Sequence, residues 1–205
     1  MLFNSVSFLI FFPAVALVYF FMAGRHRWLF LIAASYYFYM SWRPEYIILI
    51  LLSTTVDYYA GRKMATLAEK SRRKKYLFLS IAANMGLLFT FKYLNFFRDT
   101  LISLTGTVGL AVSLPTWNII LPIGISFYTF QTLSYTIDVY NGKTSPEANY
   151  GRFALFVAFF PQLVAGPIER PSKLLPQLNK LSLVGNFDYD RVTIGLRLMT
   201  WGFLK

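Results

Sequence analysis

Gly124, Gln131 and Asp138 stand seven residues apart. At 100° per residue a seven-residue step returns to within about 20°, so the three lie on one line of any helix that contains them. Tyr128, Ser134 and Tyr135 flank that line. An amide, a carboxylate and two phenols on one face suit the wall of a water-filled tunnel. Hydrogen bonding between helices is the other use of the same groups. The surrounding segment 119–140 is otherwise apolar, and a bilayer crossing takes about 20 residues. A helix that only spans needs neither amide nor carboxylate, because polar groups at that depth are costly and face a cavity or a partner.

A second constellation follows at 165–178, AGPIERPSKLLPQL. Pro161, Pro167, Pro171 and Pro176 cannot share one continuous helix, and Gly166-Pro167 is a turn signal. Non-helical backbone at membrane depth has to be buried in protein or line a cavity. The run therefore reads as a re-entrant or broken element that returns to the side it came from, with Glu169 and Arg170 paired near its tip. An ordinary interfacial loop is the plainer alternative.

Other catalytic chemistry finds little support. His26 is the only histidine and sits in a short basic loop. The absence of cysteine excludes disulfides, thiol nucleophiles and Cys-ligated zinc. Asp57, Asp99, Asp138 and Glu169 are not spaced as a carboxylate dyad, and no serine–histidine pair, metal cluster or phosphate loop is present. From the residues alone no catalytic centre can be assembled.

The elements that must position these groups are read from hydropathy. Of 205 residues, 56% are hydrophobic and only 14% are charged, whereas soluble domains carry about 25% charged residues. The expected fold is all-α. It is a polytopic membrane protein of about six transmembrane helices, with the broken element near 161–176, in one membrane domain over 1–205. Spans are expected at 2–22, 28–41, 46–60, 76–97, 119–140 and 150–165. Asp188 is placed to cap a further helix over 190–205. Segments 28–41 and 46–60 give only about 22 Å of helix against a hydrocarbon core of about 30 Å. The start lacks a basic n-region and cleavage site, so 1–23 reads as an uncleaved first span.

The charge of +11 would suggest nucleic acid in a soluble chain. Here the basic residues sit between apolar runs, so the partners expected are membrane lipids and not nucleic acid. Segment 61–75 holds Arg62, Lys63, Lys70, Arg72, Arg73, Lys74 and Lys75 against Glu69 alone. It belongs in the cytoplasm with Arg25, Arg27 and Lys143, which leaves the N-terminus outside. Residues 98–117 read as an external loop with a short interfacial helix.

The runs LPIGISFYTFQTLSYTIDVY at 121–140 and FFPQLVAGPIERPSKLLPQL at 159–178 resemble the membrane-bound O-acyltransferases, in their alginate O-acetyltransferase-like branch. Residues 1–20 and 36–62 resemble the same branch. The resemblance implies an acyltransferase of the bacterial cytoplasmic (inner) membrane that moves an acyl group, acetyl, toward an exported polysaccharide such as alginate. The acyl donor, acetyl-CoA or an acyl carrier, would be a substrate, with no bound cofactor and no metal. A periplasmic or extracellular acyltransferase partner is implied as well. Such enzymes use a histidine in a later helix as general base, which would lie beyond Lys205. The chain is accordingly expected to be the N-terminal part, with no catalytic residue of its own and no activity alone. Tyr128, Gln131, Tyr135 and Asp138 would line the substrate path, and Pro167, Glu169 and Arg170 would shape it. A non-catalytic transporter or scaffold for polysaccharide export fits the same polar residues and broken helices, though no inverted repeat is found.

Overall fold

The computed structural model describes residues 1, 3–107, 115, 120–164, 166, 169–183 and 188–204. Among them the regular structure is helical throughout, without a strand. The helices are α1 Val6–Phe21, α2 Arg27–Met40, α3 Ile47–Thr66, α4 Lys70–Leu88, α5 Leu94–Thr107, α6 Ile125–Tyr140, α7 Tyr150–Ala158, α8 Phe160–Leu163, α9 Pro171–Asn179 and α10 Tyr189–Leu204. Their starts follow capping chemistry. The Ser5 hydroxyl accepts the Phe8 N–H at 3.2 Å, and the Asn149 side chain accepts the Arg152 N–H at 3.1 Å. Asp188 accepts the Arg191 N–H at 3.1 Å, in the capping role expected of it. Pro171 opens α9.

Helices α3, α4 and α6 pack as one group, and α7 lies between α2, α3 and α9. The fully buried side chains include Phe38, Ile50, Met64, Ile125, Tyr128, Tyr135, Phe153, Phe156 and Leu163. Aromatic rings do much of the filling: Tyr135 and Phe153 are 4.4 Å apart, and Phe38 meets Phe8, Phe11 and Phe160. Ring burial of this kind is the largest stabilising contribution in such a core.

Contacts sort the loops into two ends. At one end the Met1 ammonium reaches the Ser41 hydroxyl at 2.6 Å, and the Tyr46 hydroxyl donates to the Ile120 carbonyl at 2.7 Å. At the other end the turn at 24–26 packs on residues 181–183, the Tyr58 hydroxyl donates to the Ala148 carbonyl at 2.6 Å, and the Lys70 ammonium sits 5.4 Å from the Tyr140 ring. The segments carrying Arg25, Lys70 and Lys143 therefore share one end.

Helices α7, α8 and α9 form a broken hairpin. After α8 the chain turns, and α9 runs back to the end from which α7 started. There the Asn179 amide donates to Glu147 Oε2 at 2.7 Å, and Arg152 donates to Asn179 Oδ1 at 3.3 Å. The return expected for 161–176 is thus present as geometry.

Other boundaries differ from expectation. Helix α3 runs on to Thr66 and α4 begins at Lys70, so the basic segment 61–75 is mostly two helix ends around a short connection. Lysine and arginine are good helix formers and extend both helices past their apolar parts. Residues 98–107 belong to α5, a longer helix than the short one expected within 98–117; the rest of that stretch, except 115, lies outside the described residues. A π-helical turn at Phe89–Tyr93 joins α4 to α5, giving one helical run of 38 residues, Lys70–Thr107. That run is the one helix among the described residues long and apolar enough to cross a membrane by length and composition; α1 is a shorter apolar helix.

Candidate functional site

Helix α6 carries the expected site and has most of its residues buried. Its start is set by Gly124, which has φ +79° and stands where a Cβ would lie 2.4 Å from the Leu163 carbonyl oxygen. Glycine alone meets both demands without strain. The break places the first turn of α6 directly against α8.

The line Gly124–Gln131–Asp138 does not share one environment. The Gln131 amide donates to the Phe156 carbonyl at 2.7 Å and so pins α6 to α7. The Tyr135 hydroxyl accepts the Glu147 N–H at 3.0 Å, and its ring lies over Gly61, where a Cβ would stand 2.9 Å away. Asp138 is half-buried. Tyr128 is fully buried, and its hydroxyl has no hydrogen-bond partner among the described residues. Gln131, Tyr135 and Tyr128 are therefore brought together on the packed side of α6, with two of the three polar groups already engaged. Pro167 lies outside the described residues. Glu169 is half-buried and Arg170 exposed; among the described residues no ion pair joins them, and Arg170 instead supplies the residue before α9.

Sequence reasoning missed the most developed polar cluster. It lies where α3, α4 and α6 cross. The Ser80 hydroxyl donates to Asp57 Oδ1 at 2.5 Å. The Asn84 amide donates to both Asp57 oxygens, at 3.0 and 2.8 Å. Asn84 Oδ1 accepts from Ser53 at 2.7 Å and from Thr132 at 3.3 Å, while Ser80 also reaches Thr136 at 3.0 Å. Asp57, Ser80, Asn84 and Thr132 are 0% exposed. Asp57 stands close in sequence to Arg62 and Lys63, yet it points into the bundle. A usable signal existed: Ser53/Asp57, Ser80/Asn84 and Thr132/Thr136 are three polar pairs at i, i+4, each on one face of its helix.

A second cluster fastens the hairpin. Glu147 is buried. Its Oε1 accepts the Asn149 N–H at 3.0 Å and its Oε2 accepts from Asn179. His26 is exposed in its turn and takes no part in either cluster. No group of three or more histidine, cysteine or acidic side chains suited to a metal occurs among the described residues.

Fold and clusters define an all-helical bundle held by buried hydrogen bonds, with a broken hairpin folded back on itself. Comparison with known proteins carries this further. The chain is 37% identical over its whole length to the probable alginate O-acetylase AlgI of Pseudomonas aeruginosa, of which it covers 39%. It is 36% identical to the protein of that name from Pseudomonas putida, covering 42% of it. Over 86% of the chain it is 28% identical to a peptidoglycan O-acetyltransferase of Helicobacter pylori. The chain thus spans about two fifths of the length of these relatives, matching their N-terminal part. The resemblance carried by the motifs is borne out: from end to end the chain is similar to the alginate O-acetylases of the membrane-bound O-acyltransferase family. No family model matches, and no solved structure does.

Proposed function

We propose that this chain is the N-terminal helical part of a membrane O-acetyltransferase that esterifies hydroxyl groups of an exported polysaccharide such as alginate. The observation that carries the reading is whole-chain similarity, at 37% identity, to an alginate O-acetylase. In the reaction an acceptor hydroxyl attacks the acyl carbonyl of a thioester, a base takes the hydroxyl proton, and the thiol leaves. This chain supplies scaffold and lining to that reaction. The base is the family's histidine, outside these residues.

The bundle sits in the bacterial cytoplasmic membrane as a multi-pass protein, with the basic end inside and the N-terminus outside. Two observations support this. The basic segments share one end of the bundle, as cytoplasmic loops do. Large apolar side chains such as Ile10, Phe21, Ile48 and Phe78 are exposed on its flanks, where lipid would cover them. The α7–α9 hairpin is then a re-entrant element entering from the cytoplasmic side. Gln131 and Tyr135 fix its position against α6, and Glu169 and Arg170 stand where it turns. A partner acting outside the membrane completes transfer to the polymer.

The test is to express the full-length protein in alginate-producing cells that lack their own acetylase and to measure ester acetate on the exported polymer. Restored acetate is expected; none, with the protein present in the membrane, overturns the reading. Sidedness is tested with cysteines at the exposed positions Ser71 and Ser103 and an impermeant thiol reagent on intact cells. Labelling is expected at Ser103 and not at Ser71.

A further inference from the structure

A groove of about 850 Å³ runs between α1 and α10. Leu9, Ala16, Leu17 and Phe20 of α1 and Gly195 and Met199 of α10 are among its walls, and every side chain that lines it is apolar. Leu9 and Leu17 are exposed, and nothing lies within 4 Å of where a Cβ on Gly195 would stand. Among the described residues the two helices do not pack closely on each other. A continuous exposed apolar surface of this kind marks a place where something binds.

The shape of the groove selects its occupant. Its walls follow α1 from Phe8 to Phe21, about 20 Å at 1.5 Å per residue. The mean cross-section is then about 40 Å², whereas a helix with its side chains, about 10–12 Å across, presents about 80 Å² or more. Extended hydrocarbon chains enter where a helix does not. The charge at one end selects further. Helix α1 ends beside the turn at 24–26, which packs on 181–183, and α10 starts shortly after. Arg25 and Lys180 are exposed there, and among the described residues no ion pair holds either. Arg191 is paired with Asp188, and Asp190 stands next to it. Two available cations at the mouth of an apolar groove suit a phosphate that carries acyl chains, and anionic headgroups gather at basic groups on the cytoplasmic side of a membrane.

We propose that the groove between α1 and α10 seats one anionic phospholipid of the cytoplasmic leaflet, with its acyl chains along residues 8–21 and its phosphate at Arg25 and Lys180. This rests on the membrane reading above. The lipid supplies the contacts that α1 and α10 do not make with each other, so α10 docks on the bundle through it. A ligand that binds the folded state stabilises it, and this one stabilises the α1–α10 side first.

The experiment uses the full-length protein, extracted in mild detergent and offered equal amounts of phosphatidylglycerol and phosphatidylethanolamine. Native mass spectrometry reads the lipid retained, and thermal melting reads its effect. The wild type is expected to keep one phosphatidylglycerol per chain and to melt several degrees higher with it. Ala16→Trp with Gly195→Leu fills the groove, and should keep no lipid while melting no lower than the lipid-free wild type. Arg25→Gln with Lys180→Gln opens the mouth, and should lower the preference for phosphatidylglycerol over phosphatidylethanolamine at least fivefold. A wild type that keeps no lipid overturns the seat, and so does undiminished retention in the filled variant. A filled variant that melts several degrees lower means that another part of the protein occupies the groove, and overturns the seat too. Should the filled variant fail to accumulate, the mouth variant decides: an unchanged lipid preference overturns the seat. Protein recovered outside the membrane fraction overturns the membrane reading and the seat together, whereas membrane protein without retained lipid overturns the seat alone.

Discussion

The crossing of α3, α4 and α6 and the pair formed by Tyr39 of α2 and Tyr128 of α6 are both buried and both polar. They differ in whether the polar groups are answered. At the crossing a carboxylate receives three donors, and the amide that supplies two of them is itself held by two hydroxyls. At the tyrosine pair the two hydroxyls have only each other among the described residues. A buried group with all its bonds made fixes neighbouring helices in register, because any shift leaves a charge or amide unpaired. Two neutral hydroxyls that meet only each other fix far less. The contrast separates the contact that holds α6 in register from one that only packs against it.

Cutting the crossing should have the largest effect. Asn84→Leu leaves the Asp57 carboxylate buried with one donor, and each of the two lost bonds to a charged acceptor is worth about 1.5–3 kcal/mol. The expected outcome is loss of most folded protein, measured by membrane abundance and by thermal melting in detergent. The exchange Asp57→Asn with Asn84→Asp keeps a carboxylate facing an amide and should recover a large part of that loss. No recovery would mean that the position of the charge matters more than the pairing.

Next is Gly124→Ala. The residue would carry a left-handed backbone, which costs about 1–2 kcal/mol, and its Cβ would press on the Leu163 carbonyl. A lower melting temperature is expected, with the contact of α6 on α8 loosened. Gln131→Leu removes the bond that pins α6 to α7 and leaves the Phe156 carbonyl without its donor, at about 1–3 kcal/mol. Its abundance should fall, which identifies the amide as a fastening. Normal abundance with lost activity would return Gln131 to the substrate path. Asp138→Asn stands last. The carboxylate is half-buried at the end of α6, and a change of about 0.5 kcal/mol or less is expected. A large loss of acetyl transfer without loss of protein would give Asp138 a functional place.

Much of this arrangement was legible in the residues. Asp188 announced a helix start, and the prolines around 161–176 the returning hairpin. Capping and proline effects are local, so a few neighbouring residues reveal them. The partners of Gln131 and Asp57 were not legible, because they come from residues 25 and 27 positions away and depend on how helices rotate against one another. The helical line through Gln131 and Asp138 was correct as geometry, but a line on one helix says nothing of where the facing helix ends. Asp138 is half-buried, whereas Gln131 is buried and bonded to α7. The basic residues misled differently: their charge marked a side of the bundle, while their helix propensity decided that they would sit on helices.

The π-helical turn at Phe89–Tyr93 has a consequence for the whole run from Lys70 to Thr107. Such a turn takes in one residue more than an α-helical turn, so everything after it is rotated by about 100° relative to an unbroken helix. Before the turn, Ser80, Asn84 and Leu88 form a stripe at intervals of four that faces the bundle. After it, α5 buries no residue at all. The stripe has lost phase with the helix that carried it. One inserted residue thus separates a first half that serves as an inner strut from a second half that, among the described residues, has no fully buried side chain.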